Sequence, residues 1–170
     1  MAAVFCVSCT ESKKPPIAET EQFGLRKPPD QVSWNVEVFF MDSSYTKARL
    51  NADMGRMYFE EKKTYLDGNV KVEFYSQQTG QRTTLMTADS AEIDDATKNM
   101  YAHGNVVVYS DSSKTRVETQ ALHWDNKTQL FYSKEFVTID SPSENIRGYG
   151  FESDQTLKNN KIFKVSGEQK

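Results

Sequence analysis

Apolar and polar residues alternate along most of the chain from Val32 onward. The alternation is clearest in four runs: Val36-x-Val38-x-Phe40, Val70-x-Val72-x-Phe74, Val106-x-Val108 and Val137-x-Ile139. A period of two is typical of β-strands that bury one face. No window of helical length carries apolar residues at the i, i+3, i+4, i+7 spacing. The pattern predicts an all-β protein with strands of about five to nine residues.

Short polar clusters separate the alternating runs. They read FMDSSY, EEKK, SQQTGQR, DDATKN, SDSSK, DNKTQ and DSPSEN. Asp, Asn, Ser and Gly are common in tight turns, because their side chains bond to the local backbone or because the backbone tolerates a positive φ. The clusters therefore predict short hairpins between successive strands.

Two segments of the chain have similar sequences. TYLDGNVKVEFYS begins at Thr64, and MYAHGNVVVYSD begins at Met100, so that Tyr65 aligns with Tyr101 at an offset of 101 − 65 = 36. Such a repeat indicates a β-turn-β unit that buries its apolar face by stacking on further copies. Gly68 and Gly104 suit a bend between two sheets. We predict an elongated β-jelly roll of repeated β-turn-β units, with two facing antiparallel sheets and open edges.

Strand parity selects the residues of the predicted interior. The inward positions are Val70, Val72, Phe74, Val106, Val108, Val137 and Ile139, and a register error of one residue would move them to the other face. Ala88, Ala91 and Ala121 are expected among them as small residues. Small inward residues either let the sheets approach closely or leave room for a guest, and both remain open.

Composition narrows the functional classes. The net charge is −3 and 26% of the residues are charged, without a basic excess of the kind that binds nucleic acid. No apolar run approaches the roughly 20 residues of a membrane-spanning helix. Cys6 and Cys9 are the only cysteines. The predicted domain, residues 32–168, therefore contains no disulfide or cysteine nucleophile.

The N-terminal segment resembles a truncated lipoprotein signal. A short apolar stretch, residues 1–9, ends at Ser8-Cys9, and a small residue before Cys is typical of lipoprotein cleavage sites. Cys9 is thus a lipidation candidate, and the alternative is an ordinary terminus with two free thiols. Residues 10–31 are rich in Lys, Pro, Glu and Thr and predict a flexible linker.

Candidate catalytic and metal-binding groups are sparse. His103 and His123 are the only histidines, and jelly-roll metal enzymes need clustered histidine ligands. Asp residues recur at 53, 89, 125 and 154, where the repeat favours a structural role at strand ends. No Ser-His-Asp order, phosphate loop or dinucleotide fingerprint occurs. We expect neither enzymatic activity, nor a metal, nor a cofactor.

Three motifs carry a resemblance to a known family. They are Gly104-Asn105-Val106, Thr119-x-x-Leu122-x-x-Asp125 and Gly148-x-Gly150-Phe151-x-Ser153-Asp154. Together with the run from Thr83 to Glu168 they resemble the LptC family, the periplasmic component of lipopolysaccharide export, which is related to the LptA/OstA bridge proteins. The similarity extends from about Trp34 to Gly167.

The resemblance implies a transport function. Such a protein accepts lipopolysaccharide from an inner-membrane ABC transporter in an apolar groove and passes it to a periplasmic LptA-like bridge protein. The groove is then lined by the seven inward residues named above. The C-terminal edge, with Ile162, Phe163 and Val165, would dock the bridge, and the N-terminal edge would face the transporter.

The resemblance also implies a location in the periplasm, anchored to the inner membrane of a Gram-negative bacterium. Members of the family usually carry an N-terminal transmembrane helix, whereas this chain offers a short apolar segment and Cys9. Membrane association through the N-terminus is expected. Two alternatives remain: a soluble LptA-like bridge, and a structural adaptor that pairs edges without carrying lipid.

Overall fold

The alternating segments form nine antiparallel strands. The computed structural model describes residues 27–165. Its strands are β1 (Gln31–Asp42), β2 (Tyr45–Tyr58), β3 (Lys63–Tyr75), β4 (Arg82–Asp94), β5 (Met100–Ser110), β6 (Arg116–Asp125), β7 (Leu130–Asp140), β8 (Asn145–Asp154) and β9 (Lys161–Val165). Each strand pairs with the next, so the order in the sheet is the order in the chain. The predicted all-β class and antiparallel jelly roll are confirmed.

The strands are longer than their expected length. Eight of the nine contain 10–14 residues, and only β9 has five. The predicted range was wrong because each long strand continues through a bend in its middle. In β3 the bend is at Gly68-Asn69, and the strand resumes at Val70. The two facing sheets are therefore halves of one continuous sheet.

Aromatic contacts show that the sheet folds onto itself. In a flat sheet β3 and β6 would lie about 14 Å apart, at about 4.8 Å for each neighbouring strand. The ring centroids of Phe74 in β3 and Trp124 in β6 are only 4.8 Å apart, and Phe131 in β7 is 5.6 Å from Phe74. The two halves of the sheet thus face each other across a shared core.

The bend divides each strand from β2 to β8 between two layers. The first layer contains residues 45–51, 70–75, 82–88, 106–110, 116–119, 136–140 and 145–149, and the second contains 54–58, 63–67, 90–94, 100–103, 121–125, 130–133 and 150–154. In each of the six pairs from β2–β3 to β7–β8, the register shifts at the boundary between these ranges. Such irregularities bend and twist a strand, which turns the chain from one layer into the other.

A repeated hydrogen bond closes the first two corners. The Asn69 Nδ2 donates to Asp53 Oδ2 at 2.7 Å, and Asn105 Nδ2 donates to Asp89 Oδ2 at 2.8 Å. Both asparagines have a positive φ, 47° and 46°, which Asn tolerates better than most residues. Asp53 and Asp89 therefore have a structural role, as expected, but they hold corners in the middle of β2 and β4, so their predicted place at strand ends was wrong.

The glycine before each asparagine is required by the same geometry. Gly68 and Gly104 have φ values of 77° and 74°. A Cβ added at Gly104 would lie 2.5 Å from Asp89 Oδ2, and one at Gly68 would lie 2.5 Å from Asp53 Oδ2. The predicted bends at these glycines are confirmed.

Hydroxyl groups replace the Asp–Asn pair at the third corner. The Thr119 hydroxyl donates to the Phe136 carbonyl at 3.0 Å, and the Ser133 hydroxyl donates to the Ala121 carbonyl at 2.7 Å. The buried positions Thr119 and Leu122 are here three residues apart. This spacing turns Ala121 to the outer face, so its expected place in the interior was wrong.

Aspartates also cap the turns that end second-layer strands. Asp94 Oδ1 accepts the backbone N–H groups of Ala96 and Thr97, and Asp125 Oδ1 accepts those of Lys127 and Thr128. These bonds, led by the backbone bond from Thr97 and from Thr128 respectively, hold the pKa of both aspartates below the ordinary value. Asp154 caps the next turn through Thr156.

We expect Gly104→Ala to destabilise the fold more than Gly80→Ala. Gly80 also has a positive φ, 66°, but an added Cβ would meet nothing within 4 Å. Gly80→Ala should lower the free energy of unfolding by about 1 kcal/mol, the cost of a left-handed residue. Gly104→Ala should cost about 3 kcal/mol, because the clash with Asp89 adds to that strain. Equal losses in urea unfolding would contradict the proposed corner.

The double variant Asp94→Asn, Asp125→Asn should be less sensitive to acid. Because the folded-state pKa values are depressed, the carboxylates stabilise the fold above the unfolded pKa of about 3.9 and lose this contribution as the pH falls further. An Asn oxygen accepts the same backbone bonds without titrating. The urea midpoint followed from neutral pH downward should therefore decline less steeply in the variant.

A matched control for this effect changes the net charge equally at exposed carboxylates. Glu135 and Glu144 are exposed, and neither side chain makes an ion pair with another residue that the structure describes. The double variant Glu135→Gln, Glu144→Gln should leave the decline of the urea midpoint with falling pH unchanged. If it reduced this decline as strongly as the aspartate variant, the hydrogen bonds of the turns would not be the cause of the effect.

Candidate functional site

An apolar groove opens between the two layers beside β1. Its volume is about 430 Å³. The walls are formed by Val36, Val38, Phe40, Met57 and Ile93, and the rim carries Asp42, Lys47, Asp95, Lys98 and Asn126. We call this cleft the β1 groove. Apolar side chains thus share this cleft with charged and amide groups, a lining that suits a ligand with an apolar body and a polar head.

The groove follows from the edge position of β1. Alternation turns Val36, Val38 and Phe40 toward the interior. Among residues 27–165, β1 pairs only with β2, so no described strand covers its other edge. Val38 and Phe40 therefore pack against the core but remain only partly buried. Residue types that fill the interior in the rest of the fold therefore line an open cleft beside β1.

The β1 groove narrows rapidly toward the middle of the fold. A second cavity of about 10 Å³, room for a single water, continues from it. Its apolar lining includes Ala48, Val72, Met100 and Trp124, and it shares Phe40 and Lys47 with the groove. Beyond this point the layers are in contact.

The turn between β8 and β9 covers the interior near the opposite edge. Leu157, at its centre, belongs to the core cluster and is 1% exposed. The Ser113 hydroxyl donates to the Thr156 carbonyl at 2.9 Å, and the Thr84 hydroxyl donates to the Gln155 carbonyl. These bonds tie the turn to the first layer, so the interior is open at β1 and closed beside β8.

A lysine spans the mouth of the β1 groove. Lys47 extends from β2 in the first layer, and its Nζ donates to the carbonyl and the side-chain oxygen of Asn126 at 3.1 Å each. Asn126 lies in the β6–β7 turn of the second layer. Burial lowers the pKa of Lys47, an effect that the negative field of Asp42 only partly opposes.

The predicted groove residues lie in the interior, but none of them borders the β1 groove. Val70, Val72, Phe74, Val106, Val108, Val137 and Ile139 are each at most 1% exposed. Val72 and Phe74 line the small cavity, and the other five pack in the core cluster. Strand parity thus identified inward residues, while their contact with a ligand stays a prediction.

The walls of the β1 groove were missed as site residues. Val36, Val38 and Phe40 alternate as clearly as the predicted set. They differ from the predicted residues because they lie on an edge strand. The repeat could have indicated this position, since β1 precedes the first complete copy of the repeated unit. Lys47 carries no local signal, because its partner Asn126 is 79 residues away.

The two predicted edges flank the sheet. β1 is the first strand and β9 the last, and neither has a second neighbour among residues 27–165. In β9, Ile162 packs against the core and Phe163 is 65% exposed. Val165 is the last residue of that strand. The lipidation candidate Cys9 and the linker up to residue 26 lie outside the described residues.

The two histidines lie on the outer face. His103 is exposed, and the His123 ring stacks on Tyr101 with centroids 4.3 Å apart. Burial lowers the pKa of His123, and its Nε2 has no hydrogen-bond partner. Within the described part of the chain, no cluster of three or more His, Cys, Asp or Glu side chains could hold a metal ion.

No helix that could cross a membrane occurs among residues 27–165.

A model of one protein family matches just over half of the chain. The profile described as lipopolysaccharide-assembly, LptC-related, matches residues 71–166, which is 166 − 71 + 1 = 96 of 170 residues. The matched region begins within β3 and so excludes β1, β2 and the first wall of the β1 groove. No curated protein matches the chain. Because the profile covers more than half of the sequence, the chain belongs to the LptC family, and this membership implies a role in lipopolysaccharide transport.

Proposed function

We propose that the protein accepts lipopolysaccharide from the inner-membrane ABC transporter, holds its acyl chains in the β1 groove and passes it to an LptA-like periplasmic bridge protein. The observation that carries this proposal is an apolar cleft of about 430 Å³ that opens between the layers of an LptC-family chain. The walls offer Val, Phe, Met and Ile side chains, while charged groups stay at the rim.

The proposed mechanism is passive. Transfer of acyl chains from water into the groove is favourable by about 0.8 kcal/mol for each buried CH₂ group. The sugar head remains in water, outside the polar rim. Burial of the acyl chains does not favour movement of the lipid in one direction. The energy for directed movement therefore comes from the ATPase of the transporter. The protein itself carries no catalytic step and works as a component of transport.

Membership in the LptC family supports a periplasmic location at the inner membrane of a Gram-negative bacterium. We propose that the domain is attached there through its N-terminal segment, with Cys9 as the candidate for lipidation. A lipid on this residue would attach the domain to the membrane surface. The linker then positions β1, the strand nearest to it in sequence, toward the membrane.

One observation favours a second candidate, the structural adaptor that carries no lipid. The core beyond the β1 groove is filled, and Leu157 covers it beside β8. A lipid that travels from the β1 edge to the β9 edge requires the two layers to separate. An adaptor requires only the edges. A soluble LptA-like bridge would share the groove and both edges, and would differ in lacking a membrane anchor.

Photo-crosslinking at three positions distinguishes these functions. A light-activated phenylalanine analogue should give lipopolysaccharide adducts in cells when it replaces Phe40 in the β1 groove. It should give none at Tyr149, which is 53% exposed on the outer face. At Val108, which is 0% exposed in the filled core, an adduct is expected because transport opens the layers during passage.

Each pattern of adducts has a different meaning. Adducts at Phe40 and Val108 would support a continuous path through the protein. An adduct at Phe40 alone would restrict the lipid to the β1 groove. The absence of adducts at both inward positions, with the variants still folded, would overturn lipid transport through the fold and leave the adaptor.

The free edge of β9 is the proposed docking site for the bridge protein. An edge strand offers unpaired backbone groups for strand addition, and its side chains contribute specificity. Ile162, Phe163 and Val165 lie on this strand. The exposed ring of Phe163 is available to a partner that extends the sheet, while Ile162 keeps β9 attached to the core.

We expect Phe163→Ser to weaken bridge binding about tenfold, since a buried aromatic contact at an interface contributes on the order of 1–2 kcal/mol. Phe59→Ser is the matched control, because Phe59 is 61% exposed but lies in the β2–β3 turn near the other edge. Binding of the bridge to both variants can be measured by titration calorimetry. Equal affinities for both would exclude the β9 edge as the site.

A further inference from the structure

Lys47 occupies an unusual position for a lysine. It lines both the β1 groove and the small cavity behind it, where Phe40, Ala48 and Trp124 are its apolar neighbours. Its ammonium group reaches the opposite layer at Asn126. The aliphatic part of the side chain thus lies against the apolar wall, while the charge lies where the groove meets the solvent.

The charge of Lys47 has no counter-ion. Both of its hydrogen bonds are to neutral oxygens of Asn126, and no carboxylate within residues 27–165 approaches its Nζ to 4 Å. Because burial outweighs the field of Asp42, the pKa of Lys47 is lowered. A half-buried cation without a counter-ion is a cost to the fold and a natural receptor for an anion.

The other charges of the rim are already engaged. Asp95 accepts a hydrogen bond from the Thr64 hydroxyl at 2.9 Å and lies 3.9 Å from Lys98 Nζ. Asp42 accepts a hydrogen bond from the Ser43 hydroxyl and is exposed. Lys47 is therefore the rim cation that an incoming anion meets without first displacing a carboxylate.

We propose that Lys47 binds a phosphate group of an acylated lipid whose acyl chains occupy the β1 groove. The inference rests on the proposed function, because it assigns a role to the rim of the groove that holds the lipid. Charge complementarity selects an anionic head, and the adjacent apolar wall requires that the anion be close to an acyl chain. A compact ammonium suits a phosphate as a point charge.

Binding of two probes tests the proposal with the full chain. The probes are diphosphoryl lipid A and the same lipid after removal of its phosphates. The wild-type protein should bind the phosphorylated probe about tenfold more tightly, as for a charge-assisted contact. Lys47→Gln should bind both probes with the affinity of the wild type for the dephosphorylated one. Gln retains a donor for the oxygens of Asn126.

Two further variants separate charge from structure. Lys47→Arg keeps the charge and should keep the preference for phosphate. Lys134→Gln removes an exposed lysine that makes no ion pair and lies on the outer face, so it should leave the preference unchanged. The urea midpoint of each variant reports whether the fold is retained.

The outcomes are distinct. If the wild type binds neither probe, the proposed lipid-carrying function fails and this inference fails with it. If the wild type binds both probes equally, or if Lys47→Gln keeps the preference, the lipid function stands and the role of Lys47 is overturned. If Lys47→Gln weakens the binding of both probes by the same factor, Lys47 only connects the two layers, and the inference is overturned.

Discussion

A single sheet with one apolar face has to bury that face against itself, and the rest of this structure depends on that constraint. Hydrogen bonds join the nine strands into one sheet. They become two layers only because each long strand bends in its middle. The Asp–Asn bonds and the glycines of positive φ hold the first corners, and the rings of Phe74, Trp124 and Phe131 fill the space between the halves. Without the corners there would be no interior.

Folding one sheet in this way leaves two edge strands, β1 and β9, each with a single neighbour among residues 27–165. At the β9 edge, the turn that carries Leu157 covers the core. At the β1 edge the layers stay apart, and the β1 groove results. The groove and the edges are thus products of the same architecture. The proposed transport of lipopolysaccharide uses both, the apolar cleft to hold the acyl chains and the edge strand to meet the next component.

The alternation, the turns and the bends at Gly68 and Gly104 could be predicted from the sequence, because each depends on neighbouring residues. Alternation at period two reports the burial of a strand directly, and the seven inward residues that it selected are all buried. Ala121 shows the limit of the method. At the third corner the inward positions Thr119 and Leu122 are separated by an extra residue, and parity counted along the strand then places Ala121 on the wrong face.

By itself, then, the sequence determined the all-β class, the repeated unit, the bends at Gly68 and Gly104 and the likeness to the LptC family. Only the tertiary structure decided that the two layers belong to one sheet, that most inward residues are tightly packed and that the open cleft lies beside β1. It also brought Lys47 to Asn126 across 79 residues. The physical reason is that burial along a strand is a local property, whereas the gap between two layers depends on how distant strands face each other.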